Sequence, residues 1–151
     1  MRCISSASEP AGPISADQAK PPEGTHPDAG AADATAALPV PAGATHEMVA
    51  LGERIYHGQV GGATCTGCHG ADAKGTPLAP NLTDTEWLWS DGSYPAIVKT
   101  ITAGVPQPKR YRSPMPPLGG AQLTPDQVSA VAAYIWALSH RTSATAGTPA
   151  S

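Results

Sequence analysis

The sequence has no phenylalanine, and charged residues fill only 14% of its 151 positions. A core built without Phe must rely on Leu, Ile, Val and Ala, with three Trp and four Tyr as its large aromatics. A buried cofactor would fill volume that such side chains leave empty. No run of about 18 apolar residues occurs, so no segment reads as a membrane-spanning helix. The opening "MRCISSASEP" lacks an apolar stretch and does not read as a secretory signal peptide. That leaves a cytoplasmic protein or one whose export signal is absent from this sequence. Basic residues are not in excess: the net charge is −3, which argues against a nucleic-acid partner. Cysteine is scarce as well, with three residues, so the placement of two of them side by side carries information.

Proline and glycine are abundant, at 17 and 16 residues. Residues 1–45 are mostly Ala, Pro, Gly and Ser, with no Trp or Tyr and no sustained period. They also hold two basic side chains against five acidic ones, so the acidity of the chain lies there, while residues 46–151 sum to zero. Such a segment has too little apolar surface to offset its ordering entropy, and we expect a disordered linker. Cys3 stands at its far end. One reading is an unpaired thiol. The other is the lipid-bearing cysteine of a membrane tether, although "MRC" is not a lipobox. Residues 142–151 are small and polar again and read as a loose C-terminal tail.

Between the two tails, residues 46–141 carry helical periodicity. Thr45 is a candidate N-cap for a helix with Met48, Leu51, Gly52, Ile55 and Tyr56 on one stripe, ended by Gly58. Thr83-x-x-Glu86 has a capping-box pattern ahead of a short turn bearing Trp87, Leu88 and Trp89. Pro95 suits a first helical turn, Ile97, Val98 and Ile101 share a face, and Gly104 stops that helix. Thr124, Pro125 and Gln127 open the last helix, in which Val128, Val131, Ile135 and Leu138 recur at helical spacing. The stretch "VPQPKRYRSPMPPLGG" has five prolines and reads as a long loop.

Cys65 and Cys68 lie in "CTGCH", with His69 directly after them. A structural zinc site needs about four ligands, and the second pair of a zinc site is missing. A thioredoxin-like disulfide expects a strand before the CxxC, but "GQVGGAT" is glycine-rich. Covalent haem uses every residue. Each thiol forms a thioether with one vinyl, the two-residue spacer suits vinyls on neighbouring pyrroles, and His69 then supplies the proximal imidazole. A second axial ligand is available in Met115. Met1 is terminal and Met48 lies on an apolar helical stripe, whereas Met115 stands between Pro114 and Pro116 in the loop. A loop Met can also cap a core as adaptable filler. Trp87 and Trp89 are read first as core aromatics. His26, His46, His57 and His140 are read as surface residues, with His57 the alternative ligand to watch.

With Gly52 and Tyr56, "CTGCH", "APNL" at 79–82, "SPMPP" at 113–117 and "AAYIWALS" at 132–139, residues 46–141 resemble the class I c-type cytochromes. The resemblance implies an all-α fold of three to five helices around one covalent haem c. Its first and last helices cross, with Gly52, Tyr56, Val131 and Tyr134 at the crossing. It also implies that the Pro80 carbonyl orients the His69 imidazole and that one Trp lies near a haem propionate. The stretch "APNLTDTEWLW" is similar to monohaem domains of terminal oxidases and periplasmic dehydrogenases. The implied function is one-electron transfer rather than enzymatic catalysis, between redox protein partners such as membrane respiratory complexes or a periplasmic dehydrogenase. The implied location is the periplasm, with Cys3 a tether to the membrane. Lys109, Arg110 and Arg112 form either a solvated basic loop or a docking patch for an acidic partner. Two other readings stay open: a haem enzyme or gas sensor with a labile sixth ligand, and a subunit or domain of a larger oxidase or dehydrogenase.

Overall fold

The computed structural model describes residues 35–145, with side chains through Arg141. Cys3 and His26 lie outside the described residues. Thr35, the first described residue, is already buried, ahead of the boundary set at residue 45 from composition. Leu38 and Pro41 are also buried, because Leu38 and Val40 give this Ala/Pro-rich stretch enough apolar surface to join the core.

Helix α1 spans His46–Tyr56. Thr45 caps it by accepting a hydrogen bond at Oγ1 from the Met48 N–H at 3.3 Å. The buried stripe is Val49, Gly52, Ile55 and Tyr56, with Met48 and Leu51 only partly buried. The stripe is thus rotated by about one position from the one expected, since the small Gly52 marks the line of closest approach. The chain leaves α1 at His57 and turns at Gly58 with φ +74°.

Helix α2 is the short Cys65–His69 turn. The capping box of Thr83-x-x-Glu86 does not form. Instead Asn81, Asp84 and Asp91 accept hydrogen bonds at their side-chain oxygens from the N–H groups of Thr83, Glu86 and Ser93, which bends the backbone repeatedly. Helix α3 spans Tyr94–Ala103, buries Ile97 and Ile101, and ends at Gly104 with φ +69°. A short 3₁₀ turn at Pro117–Gly120 closes the proline-rich loop.

Helix α4 spans Pro125–Thr145, so its backbone continues past residue 141 into the segment expected to be loose. The Thr124/Gln127 capping box is complete: the Thr124 N–H donates to Gln127 Oε1 at 2.9 Å and the Gln127 N–H to Thr124 Oγ1 at 3.2 Å. This helix is buried nearly all round from Ala130 to Ser139, because α1 and α3 both pack on it. Tyr94 links α3 to α4 by donating its hydroxyl to the Ser129 carbonyl at 3.1 Å.

At the α1–α4 crossing a Cβ on Gly52 would fall on the Ala130 carbonyl and against Tyr134 Cβ. The Tyr56 and Tyr134 rings meet there at 5.7 Å. The expected partner Val131 is one residue off the crossing and faces the pocket described below. The architecture is all-α; among the described residues β pairing is confined to isolated bridges, at Thr76–Ala79 and Val105–Met115.

Candidate functional site

Helix α2 is too short to be stable alone, and its last carbonyls are held from outside. The Cys68 carbonyl accepts from the Thr76 hydroxyl, and the His69 carbonyl from the Gly75 N–H at 2.9 Å. The next carbonyl, of Gly70, accepts from the Tyr56 hydroxyl at 2.6 Å. Gly75, at φ +84°, must be glycine for this: a Cβ would lie 2.6 Å from the Asn81 nitrogen and 2.8 Å from the Pro80 carbonyl carbon. That close approach brings the Pro80 oxygen within 2.9 Å of His69 Nδ1. With Nδ1 engaged, Nε2 is the ring nitrogen left for a ligand role. Burial lowers the His69 pKa, and the Pro80 hydrogen bond partly opposes it, so the imidazole is neutral near pH 7.

His69, Cys65 and Cys68 line one large pocket, and so do Met115 and Pro80. The pocket encloses about 1200 Å³ of empty space with its open mouth included. Its walls come from α1 to α4 and from both the Trp-bearing and the proline-rich loops, and they are mainly apolar: Ile97, Ile101, Val105, Leu123, Val131 and Ile135. Met115 is held at the base of its loop by two backbone bonds with Val105, at 2.8 and 2.9 Å. Gly104 allows this approach, because a Cβ there would lie 2.6 Å from the Met115 oxygen. Cys65 and Cys68 are not joined in a disulfide. Burial pushes the Cys65 thiol pKa up, and it raises that of Tyr56 further above the usual phenol range.

The remaining candidates divide between the pocket wall and the outside of the domain. Trp87 is half-buried beside Gly92, whereas Trp89 is 37% exposed, and both reach the pocket wall. His57 is exposed, edge-on to Tyr56, and does not line the pocket. His140 is not a plain surface residue: its ring stacks on Trp136 at 3.9 Å, and its Nδ1 lies 2.8 Å from the Trp136 carbonyl. Lys109 and Arg110 are not simply solvated. Arg110 pairs with Glu86, and Lys109 sits 4.8 Å from the centre of the Trp89 ring. Sequence reasoning missed Thr76 and the hydroxyl of Tyr56, since a lone Thr or Tyr carries no signal of which carbonyl it will meet.

Two thiols, a buried imidazole with one nitrogen committed and a thioether, all on one open apolar pocket, make a donor set that fits a covalently attached haem. The class this defines is a small helical haem-attachment domain. The chain belongs to the cytochrome c family: the model of that family, described as Cytochrome c, matches residues 49–139. A covalent c-type haem is that family's cofactor, and the single C-x-x-C-H accounts for one. The chain is 41% identical over 93 residues to the cbb3-type cytochrome c oxidase subunit CcoP of Rubrivivax gelatinosus, covering 62% of this chain and 27% of that protein. It is 42% identical over 79 residues to the cbb3-type cytochrome c oxidase subunit FixP of Rhizobium etli, covering 50% of this chain and 27% of that protein. The chain thus spans about a quarter of the length of the curated relatives it matches. Among solved structures it is similar to cytochrome cL of Methylophaga aminisulfidivorans, with 24% identity, a TM-score of 0.46, and coverage of 59% of this chain and 51% of that one. The domain is an electron-transfer module.

Proposed function

We propose that the protein is a periplasmic one-electron carrier whose haem is held by Cys65 and Cys68 and ligated by His69 and Met115. The observation that carries this reading is the presence of His69 and Met115, from separate segments of the chain, on the walls of one apolar pocket that also holds both thiols. When bound, the haem supplies a one-electron couple. The protein's part is to hold the His69 ring through Pro80, to keep water from most of the pocket with aliphatic walls, and to present a thioether that favours the reduced metal. With His69 and Met115 both given to the iron, the haem would offer no open site for substrate, which would separate a carrier from a haem enzyme or gas sensor.

The partners follow from the relatives, which are named as subunits of cbb3-type cytochrome c oxidases. We read this domain as passing electrons to or within a membrane respiratory complex, either as a separate carrier or as part of a longer subunit. The segment ahead of Thr35 serves as its tether and Cys3 as the lipid-bearing end, which keeps the domain at high effective concentration near the membrane. Among the described residues no helix is long and apolar enough to cross a membrane.

Mass spectrometry of the native holoprotein tests the attachment. One haem should remain after denaturation. It should be lost from Cys65→Ser/Cys68→Ser and stay bound in Met115→Leu. Haem extracted from the wild type by acidified organic solvent would overturn the reading. The same spectrum shows whether Cys3 bears a lipid, and an unmodified Cys3 would exclude the anchor.

A further inference from the structure

The loop that carries Met115 is fixed at two ends. At its base Val105 and Met115 exchange both backbone hydrogen bonds, and Gly104 packs against the Met115 and Pro116 backbone. Nothing in the sequence between them would keep the far part of the loop in place: Pro106, Pro108 and Pro114 prevent regular hydrogen bonding, and its cations are exposed. Yet that far part is fastened across to the Trp-bearing segment. Arg110 donates to Glu86 Oε1 in an ion pair. Its neighbour Lys109 donates from Nζ to the Leu88 carbonyl at 3.4 Å and lies over the Trp89 ring. Glu86, Leu88 and Trp89 line the pocket from one segment, and Tyr111, Pro114 and Met115 line it from the other. The contacts therefore join two walls of the same site.

We infer that Glu86 and Arg110, with Lys109 on Trp89, form an electrostatic latch that positions the Met115 loop over the pocket. They are positioning residues that act through the backbone of the loop. The inference rests on the reading of Met115 as an axial ligand. The latch is made of exposed groups, with 63% and 62% of the Arg110 and Glu86 side chains accessible, so it is weak and sensitive to salt. Opening it frees residues 106–114 and loosens their hold on Met115 at the base of the loop, so an outside ligand would compete more readily with the Met115 thioether. It also changes the reading of the basic cluster, since Lys109 and Arg110, though exposed, are engaged within the chain.

The test uses the ferric holoprotein of the full chain, with imidazole as the competing ligand. Loss of the weak red-end thioether-to-iron absorption reports displacement. Glu86→Gln and Arg110→Gln should each lower the apparent imidazole dissociation constant by between about 1.5- and 5-fold at low salt. The exchanged pair Glu86→Arg/Arg110→Glu should return toward the wild-type value, and the differences should vanish near 1 M salt. Glu47→Gln, at the start of α1, should change nothing. Single variants that match the wild type at low salt, or an exchanged pair no better than the single variants, would overturn the latch and leave the Met115 reading intact. A wild-type protein without the thioether absorption would overturn both.

Discussion

His69 is held twice, by its ring through Pro80 and by its backbone through the carbonyls that Gly75 and, one residue on, Tyr56 secure. The spacing of Cys65, Cys68 and His69 was legible because covalent chemistry demands those residue types in that order. The Tyr56 hydroxyl was not, because its partner is a main-chain carbonyl 14 positions away. On the outer part of α1, Glu53 has a buried Oε2 without a hydrogen-bond partner. Burial raises its pKa above 4.5, and attraction to His57 only partly offsets this. The folded state therefore binds this proton more tightly than the unfolded chain. The stabilisation is complete below about pH 4.5 and is lost as pH rises through the raised folded value. Glu53→Gln should remove that loss. In thermal melts from pH 4 to 7, the variant's Tm should gain on the wild type's as pH increases. A constant difference would contradict this account of Glu53.

At the scale of elements, the α1–α4 crossing depends on one missing side chain. A Cβ at Gly52 would overlap the Ala130 carbonyl, and Ala130 is fully buried, so the helices must separate to admit it. Overpacking of this kind costs roughly 1–3 kcal/mol. For a folded body of this size Gly52→Ala should lower Tm by on the order of 10 °C. Calorimetry checks this, and a Tm unchanged from wild type would mean the crossing is looser than described. Helix ends were readable wherever the cap was local, as at Thr45, Gly104 and the Thr124/Gln127 box. At Thr83-x-x-Glu86, read as a capping-box pattern ahead of a short turn, the chain does bend but the box itself does not form. Asx turns from Asn81 and Asp84 bend that backbone away from a helix, and the Glu86 carboxylate is drawn off to Arg110, 24 residues on. Which of two partners Glu86 takes is a tertiary fact that a local window cannot contain.

At the scale of the described molecule, α1 to α4 and both long loops contribute to one pocket, so the fold and the site are the same object. A Phe-free core becomes intelligible on this scale, since small residues such as Ala130, Ala132, Ala133 and Ala137 let α4 pack closely while aliphatic side chains wall the cavity. The central proposal is that His69 and Met115 would both ligate the haem iron, which would make the domain a carrier. The most direct measurement is the red-end absorption of the ferric holoprotein at neutral pH, for the wild type and Met115→Leu. The account predicts the thioether-to-iron band in the wild type, its loss in Met115→Leu with the haem still covalently bound, and a lower reduction potential in the variant. A wild type without the band, or a band that survives in Met115→Leu, would contradict it.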